Sequence, residues 1–308
     1  MKSMSARTRT ILVKVLEILR SILITAVVIV IIASLPLLVE RVGDRARIAP
    51  EKCITAVLEW FKGVKDGSSL IYEYNYTKWN LLHRALRFLS VSFANLVVPG
   101  ALALFAGTLL GSALRSPRRG TMDRLVDFAA ATPDFIVALA LQMIILVVLA
   151  PIGLRVRIGP SSSGLSSAGL IVMAVYPFCA AFRAAAFASR KAEREEWVAA
   201  ARSRGVPESA IKRRHIGAAV IPALHSALPV ILAVMQGTLF IVEYIFGLPG
   251  IARFLFEAAF SGRKPGWYQF YQFNLGLFVL ASLVVVFIAV HAVFTLALRL
   301  AKKVLTDE

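Results

Sequence analysis

The stretch EEWVAAARSRGVPESAIKRRH, residues 195–215, is strongly charged and lies between two long apolar segments. Its first ten residues, Glu195 to Arg204, favour a helix because they include neither glycine nor proline. Gly205 suits the left-handed position that commonly closes a helix. Pro207 suits the first turn of a following helix, where its missing N–H group would be unpaired anyway. We therefore predict a helix, a sharp turn and a short second helix.

One face of the first predicted helix combines small, aromatic and cationic side chains. Trp197, Ala200, Ala201 and Arg204 share this face, because residues three, four and seven positions apart lie on the same side of a helix. The small alanine side chains allow another backbone to approach closely. We therefore predict that the segment docks into a groove on a soluble partner. A basic loop alone would explain the charge, but neither the alanine spacing nor the turn.

The rest of the chain is apolar over long continuous stretches. Hydrophobic residues make up 58% of the 308 residues, more than in an ordinary soluble domain. Transmembrane helices need about 20 apolar residues, and these stretches lack the alternation of barrel strands. Gly100, Gly107 and Gly111 suit close helix packing. We predict an all-α membrane protein with six transmembrane helices, at approximately Ile18–Val39, Phe88–Leu114, Leu125–Leu149, Ala168–Ala188, Ile216–Phe246 and Phe273–Leu300.

The net charge of +17 has a simple explanation in a membrane protein, because Lys and Arg accumulate in cytoplasmic loops. Basic residues concentrate before the first span, in residues 115–124, in residues 189–215 and after the last span. All four segments lie on one side if the chain begins inside. We therefore predict that both termini are cytoplasmic. Nothing in the chain resembles a nucleic-acid recognition element, so we expect no nucleic acid partner.

Three motifs carry a resemblance to a known family. The stretch EEWVAAARSRG, followed by Ile221-Pro222, resembles the EAA loop of ABC-importer permeases, in the version of the dipeptide/oligopeptide/nickel branch. The stretch VEYIFGLPGIARFLFEAAF, residues 242–260, is similar to a second motif of that branch. A weaker match is SPRRGTMDRLVDFAAATPDFIVALAL, residues 116–141. Together these motifs identify the chain as a member of the inner-membrane components of binding-protein-dependent transport systems.

The resemblance implies a fold and a division of the chain. The fold would be the type I ABC importer permease (MetI-like) fold, with six transmembrane helices and a cytoplasmic coupling-helix loop. Residues 77–308 would form the permease domain with an EAA-type loop at residues 189–215. Residues 1–76 would form the N-terminal cytoplasmic tail, the first transmembrane helix and most of an outside loop. The location would be the bacterial inner membrane.

The resemblance also implies partners. A homologous second permease would complete the translocation path, and two cytoplasmic ATPase subunits, or a homodimer of one, would drive it. An external solute-binding protein would deliver the substrate, and membrane lipid would surround the spans. The chain lacks a G-x-x-x-x-G-K-[ST] loop, so it should be a transport subunit without cofactors, with ATP and Mg bound by the partner ATPases. The implied ATPase-coupling residues are Glu195, Ala200, Ala201, Gly205, Pro207, Ala210, Ile211 and Arg214.

Four polar residues in the spans are candidates for the substrate path. Asp134 marks a path or a pairing, since ionisable residues are costly in the membrane, and the alternatives are an ion pair with Arg183 or an interfacial position. Gln142 and Gln236 either line the path or bridge helices, and the same holds for Thr238. Glu243 is included as a path candidate, although a structural role in orienting the FGLPG turn is favoured. The candidates are Asp134, Gln142, Gln236 and Glu243.

The substrate remains open between two classes. Peptides are the first hypothesis, and the same branch also imports nickel or a metal-chelate. We predict no metal site in the chain, because its two cysteines and four histidines are too scattered. Less favoured alternatives are an exporter on the same architecture and a secondary transporter coupled to protons through Asp134 or Glu243. A neighbouring gene for a secreted binding lipoprotein would separate an importer from an exporter.

Overall fold

The computed structural model describes residues 6–42, 45–74, 77–113, 119–154, 156–259 and 271–306. These residues are mostly helical, as predicted. Five of their helices are long and apolar enough to cross a membrane, and a bent helix pair makes a sixth candidate span. The five continuous spans are Leu12–Leu37, Ala85–Ala113, Ser167–Glu193, Gly217–Ile245 and Phe273–Val304.

The helices and strands have the following bounds. The elements up to the second span are α1 Ala6–Ser34, β1 Val39–Val42, β2 Arg45–Ile48, α2 Pro50–Gly63, β3 Ile71–Tyr74, β4 Thr77–Asn80 and α3 Leu81–Ala113. The later elements are α4 Arg119–Ala131, α5 Asp134–Ile144, α6 Ser167–Glu193, α7 Glu196–Ser203, α8 Glu208–Ala210, α9 Gly217–Ile245, α10 Ile251–Ala259 and α11 Phe273–Thr306.

The third predicted span, Leu125–Leu149, is broken rather than continuous. Its two helices, Gly120–Ala131 and Asp134–Leu149, meet at 105°. Pro133 lies at the break in an extended conformation, with φ −59° and ψ 138°. A proline cannot donate the helical hydrogen bond, and it disfavours helical geometry in the residue before it. The second helix therefore begins afresh at Asp134, whose negative charge suits a helix N-terminus.

The chain divides into two compact units, Met1–Leu86 with Phe254–Val284, and Arg87–Arg253 with Val285–Glu308. In the first unit, α2 packs beside the end of α1. In its core, Ala33 of α1 meets Phe273 of α11, together with residues of α2. The unit also holds two antiparallel hairpins, β1–β2 and β3–β4. The sequence analysis did not predict these hairpins, because their strands are only four residues long.

The second unit is built around α6. The small residues Ala181 and Ala185 of α6 pack against Val220 and Leu224 of α9. A Cβ atom on Gly107 of α3 would lie 2.5 Å from the carbonyl oxygen of Phe178 in α6. The helices α3 and α6 therefore approach too closely for any larger residue at this position, as the glycine pattern predicted.

Candidate functional site

The predicted helix and turn at residues 195–215 are present. The first helix, α7, is followed by Gly205, which has a left-handed φ of +75° as predicted. Pro207 lies immediately before α8, in an extended conformation, rather than in its first turn. The second helix is not short, because α8 continues through a π-helical segment, Ile211–Ile216, directly into α9. Gly217 at the junction does not interrupt the helix.

A buried cluster holds this turn in place. It consists of Ala192 at the end of α6, Val198 on α7, and Ile211 and Ile216 before α9. Ile211 is completely buried, with 0% exposure, so it supports the turn from inside, and its assignment to the ATPase-coupling residues stays a prediction. Ala201 packs against the same cluster. An isoleucine that closes a turn finds its apolar neighbours within the chain, which local sequence spacing did not reveal.

A neighbouring side of α7 remains exposed. Trp197 is 43% exposed, and Ala200 and Arg204 are also exposed, as are Glu195, Gly205 and Pro207. A groove of about 480 Å³ lies beside this face. Its lining residues are Phe187, Ala188, Lys191, Ala192, Glu195, Trp197, Ala219 and Ala223.

The two sides of the turn are joined by a charged pair. The Nε atom of Arg202 on α7 donates a hydrogen bond of 2.6 Å to Glu208 at the start of α8, and this bond raises the pKa of Arg202. Ala210 is half-buried within α8. The side chain of Arg214 lies outside the described part of the chain, as do residues 115–118 of the predicted basic turn, whereas the rest of that turn forms the start of α4.

Asp134 joins two spans. The side chain is half-buried in the first turn of α5, and its carboxylate accepts a hydrogen bond of 2.5 Å from the hydroxyl of Thr238 on α9. The alternative of an ion pair with Arg183 is wrong, because Arg183 pairs with Asp127 on α4, at 2.5 Å. The bend before α5 directs Asp134 toward α9, and Pro133 was the available sign of that bend in the sequence.

The two glutamines of the predicted path are both half-buried. Gln142 lies eight residues after Asp134 on α5, about 12 Å further along the helix axis. Gln236 lies on α9, two residues before Thr238. Their assignment to a path stays a prediction.

Glu243 has a structural role in the fold. The side chain is 0% exposed, and its carboxylate accepts hydrogen bonds from the hydroxyl of Ser92 at 2.6 Å and from the backbone N–H of Ala252 at 2.9 Å. A longer bond of 3.3 Å comes from the N–H of Arg253. Ser92 in turn accepts from the N–H of Ile251 at 2.8 Å. Glu243 and Ser92 thus cap the N-terminus of α10, as the favoured structural role predicted, and a part for Glu243 in the substrate path stays an untested prediction.

The sequence analysis missed Ser92 altogether. It lies 151 residues from Glu243, and nothing in its own neighbourhood distinguishes it from other serines in apolar helices. The turn after Glu243 was the usable signal. Helix N-termini leave backbone N–H groups unpaired, and a glutamate just before the FGLPG turn is suited to accept from them.

The broken third span, the turn at Gly205 and the capped α10 belong to a helical protein with five to six candidate membrane spans. Residues 103–305 match the family model described as "Binding-protein-dependent transport system inner membrane component", which is about two thirds of the chain. The chain therefore belongs to this family. No curated protein matches it in sequence.

One similar solved structure is described as "Inward facing conformations of the MetNI methionine ABC transporter: CY5 native crystal form". Its sequence is 17% identical, and the alignment covers 72% of this chain and 97% of that chain, with a TM-score of 0.47.

Family membership confirms several predictions. The chain has the MetI-like permease fold, and it is a permease subunit of an ABC importer located in the inner membrane. It is a transport subunit and no enzyme, since the ATPase of such a system is a separate subunit. Importers of this kind work with ATPase subunits and a binding protein.

Proposed function

We propose that the chain is a permease of the dipeptide/oligopeptide/nickel branch and that it forms the translocation path for peptides with a homologous second permease. Two cytoplasmic ATPase subunits, or a homodimer of one, drive the path, and an external solute-binding protein delivers the peptide. The observation that carries this proposal is the construction of the α7 turn. Val198 and Ile211 fix it from inside, while Trp197, Ala200 and Arg204 stay exposed for a partner.

The connection from the turn to the spans supports a coupling role. Since α8 continues without a break into α9, a displacement of the turn moves the cytoplasmic end of α9 with it. Thr238 on the same helix holds Asp134 of α5. ATP can drive such a movement only if the docked turn differs in free energy between the inward- and outward-facing states. We therefore propose that movement of the ATPase subunits is transmitted through α7 and α9 to Asp134.

Asp134 supports a substrate with a cationic group. A half-buried carboxylate between two spans is costly in the membrane unless it has a partner or a function. The ammonium group of a peptide would complement its charge. The scattered histidines favour a peptide over a bare metal ion, and nickel or a metal-chelate is the alternative outcome of the test.

The coupling surface is tested with a matched pair of variants on α7. Ala200→Glu places a charge on the face of Trp197 and Arg204, whereas Ala199→Glu places it on another exposed side of the same helix. We expect Ala200→Glu to weaken ATPase retention and ATP-dependent uptake at least about tenfold, equivalent to about 1.4 kcal/mol of docking free energy. Ala199→Glu should behave like the wild type. Equal losses in both variants would contradict the assignment of this face.

Gly205→Pro supplies a second test of the turn. Proline cannot adopt the positive φ of this position, so the turn should be lost while the spans remain inserted. We expect assembly in the membrane without ATP-coupled uptake. Full uptake with normal assembly would overturn the coupling role.

Substrate and partners are identified in one further experiment. The full-length chain is purified with the subunits that accompany it, and both the subunits and any bound ligand are identified by mass spectrometry. We expect a second permease, ATPase subunits and a peptide. Bound nickel-chelate would replace the substrate assignment, and the absence of an ATPase would overturn the importer mechanism.

A further inference from the structure

The helix α2 between the first two spans presents three different faces. Successive residues of a helix are rotated by about 100°, so Ile54, Leu58 and Phe61 lie within one narrow sector. The neighbouring sector is polar and exposed, and it contains Glu51, Thr55, Glu59 and Lys62. The third sector is packed against the protein. A helix in water needs only one apolar face, so the second one requires an explanation.

The packed face places α2 at the end of the first span. Val57 and Trp60 pack against the core formed by Ala33 of α1 and the start of α11. The thiol of Cys53 donates a hydrogen bond of 3.3 Å to the carbonyl oxygen of Ser34, the last residue of α1. Because α1 is a membrane span, its end marks the boundary between hydrocarbon and water. The helix α2 therefore lies at the depth of this boundary.

Within the part of the chain that the structure describes, nothing covers the second apolar face of α2. Ile54 is 63% exposed, Leu58 55% and Phe61 59%. The same kind of surface continues at the end of the first span, Leu12–Leu37, where Ile31 and Leu35 are 54% and 53% exposed. Only 6% of an apolar 18-residue window of the first span, Leu12–Leu37, is buried, so the side of this span is the lipid-facing surface of the unit.

We propose that α2 lies in the membrane interface, with the face of Ile54, Leu58 and Phe61 inserted into bilayer lipid. Lipid is the occupant because this face continues the lipid-facing surface of α1 at the same depth. The polar sector then faces the headgroups and water, which is the arrangement of amphipathic helices that lie in the interface plane. The segment between the spans is thus fixed to the bilayer rather than extended into solution. This inference does not depend on the substrate or on the ATPase partners.

The test measures the lipid contact of neighbouring positions. In a background with Cys53→Ser and Cys179→Ala, single cysteines are introduced as Leu58→Cys or Glu59→Cys and labelled with an environment-sensitive fluorophore. The full-length chain, with its accompanying subunits, is reconstituted in nanodiscs of phosphatidylcholine and phosphatidylglycerol. A nitroxide lipid label is placed either near the headgroup or at the end of the acyl chain. The serine keeps a donor toward the carbonyl of Ser34.

We expect the fluorophore at position 58 to be quenched several-fold more strongly than that at position 59, and more strongly by the shallow nitroxide than by the deep one. Equal quenching at both positions would overturn the proposal. A blue-shifted but unquenched fluorophore at position 58 would also overturn it, since a protein partner would then cover the face. We expect the same quenching pattern with and without the external binding protein. A quenching pattern that depends on the binding protein would overturn the proposal and would show that this face of α2 docks that protein.

Discussion

At the scale of single residues, the buried acid Glu243 shows how one side chain can determine a junction. Its carboxylate connects three separate segments, namely α9, Ser92 on α3 and the N-terminus of α10. A buried charge is tolerated only when hydrogen bonds replace water, and here a hydroxyl and two backbone N–H groups do so. Gly250 lies so close to this carboxylate that any side chain there would collide with it.

Removing this acceptor should destabilise the fold. Glu243→Ala leaves the donors of Ser92 and α10 buried and unpaired, so we expect a loss of about 3 kcal/mol in the free energy of unfolding. Thermal unfolding of the detergent-solubilised protein measures it, with the exposed Glu59→Ala as a control that should change stability by less than about 0.5 kcal/mol. Adding Ser92→Ala should cost less in the Glu243→Ala background than in the wild type. Full additivity would show that the two residues act independently.

Asp134 gives a second prediction at this scale. Asp134→Asn removes the charge but keeps an oxygen that can accept from Thr238, so assembly should be unchanged. We expect uptake of peptides with a free amino terminus to fall about tenfold, corresponding to about 1.4 kcal/mol. The control is Asp127→Asn, which removes an exposed pair with Arg183 and should affect uptake little. Unchanged transport in Asp134→Asn would remove this residue from the path.

At the scale of helices, the contact between α3 and α6 depends on glycine. A Cβ atom at Gly111 would lie 2.5 Å from the carbonyl oxygen of Phe182 and 3.1 Å from the Cβ of Ala185. Gly107 makes the equivalent contact one turn earlier. Backbone atoms cannot rotate away as a flexible side chain can, so an added methyl group must separate the helices.

We therefore expect Gly107→Ala and Gly111→Ala each to destabilise the protein by about 1–3 kcal/mol through overpacking. The matched control is Gly120→Ala in α4, where no atom lies within 4 Å of the added methyl group. This control should be neutral or slightly stabilising, because alanine has the higher helix propensity. Thermal midpoints in detergent provide the comparison, and equal midpoints for all three variants would contradict the close approach of α3 and α6.

The break between α4 and α5 illustrates what helix-scale reasoning from the sequence missed. Hydropathy predicted one span from Leu125 to Leu149, since both halves are apolar enough together. The mean hydropathy of a segment does not reveal whether its helix is straight. Here the second half of the predicted span turns by 105° from the direction of the first half. Pro133 was the available signal. The size of the bend at this proline depends on how the two halves pack against neighbouring helices, and in the fold the halves remain bent.

At the scale of the whole molecule, orientation in the membrane is the main remaining prediction. The distribution of Lys and Arg predicts that both termini are cytoplasmic. A green fluorescent protein fused after Glu308 should therefore fluoresce, whereas alkaline phosphatase fused at the same position should be inactive. Fusions to a truncated chain ending in the loop at residues 150–165 serve as the control and should behave in the opposite way. Active phosphatase after Glu308 would reverse the topology.

The sequence by itself determined the class of protein, the approximate positions of the spans and the left-handed turn at Gly205. These properties are local, because span length follows from consecutive apolar residues and a positive φ follows from the residue type. The EAA-type motif and the later VEYIFGLPG motif also led to the family that residues 103–305 confirm.

Only the tertiary structure decided which side chains meet. Ile211 is buried within the turn, and Ser92 donates a hydrogen bond to Glu243. Asp134 accepts a hydrogen bond from Thr238 and does not pair with Arg183. Among the described residues, none covers the face of Ile54, Leu58 and Phe61 on α2. Each of these outcomes depends on segments far apart in the chain, and the packing of helices selects one partner among several that are chemically equivalent. The residue type determines whether a side chain needs a polar or an apolar neighbour, and only the fold determines which residue that neighbour is.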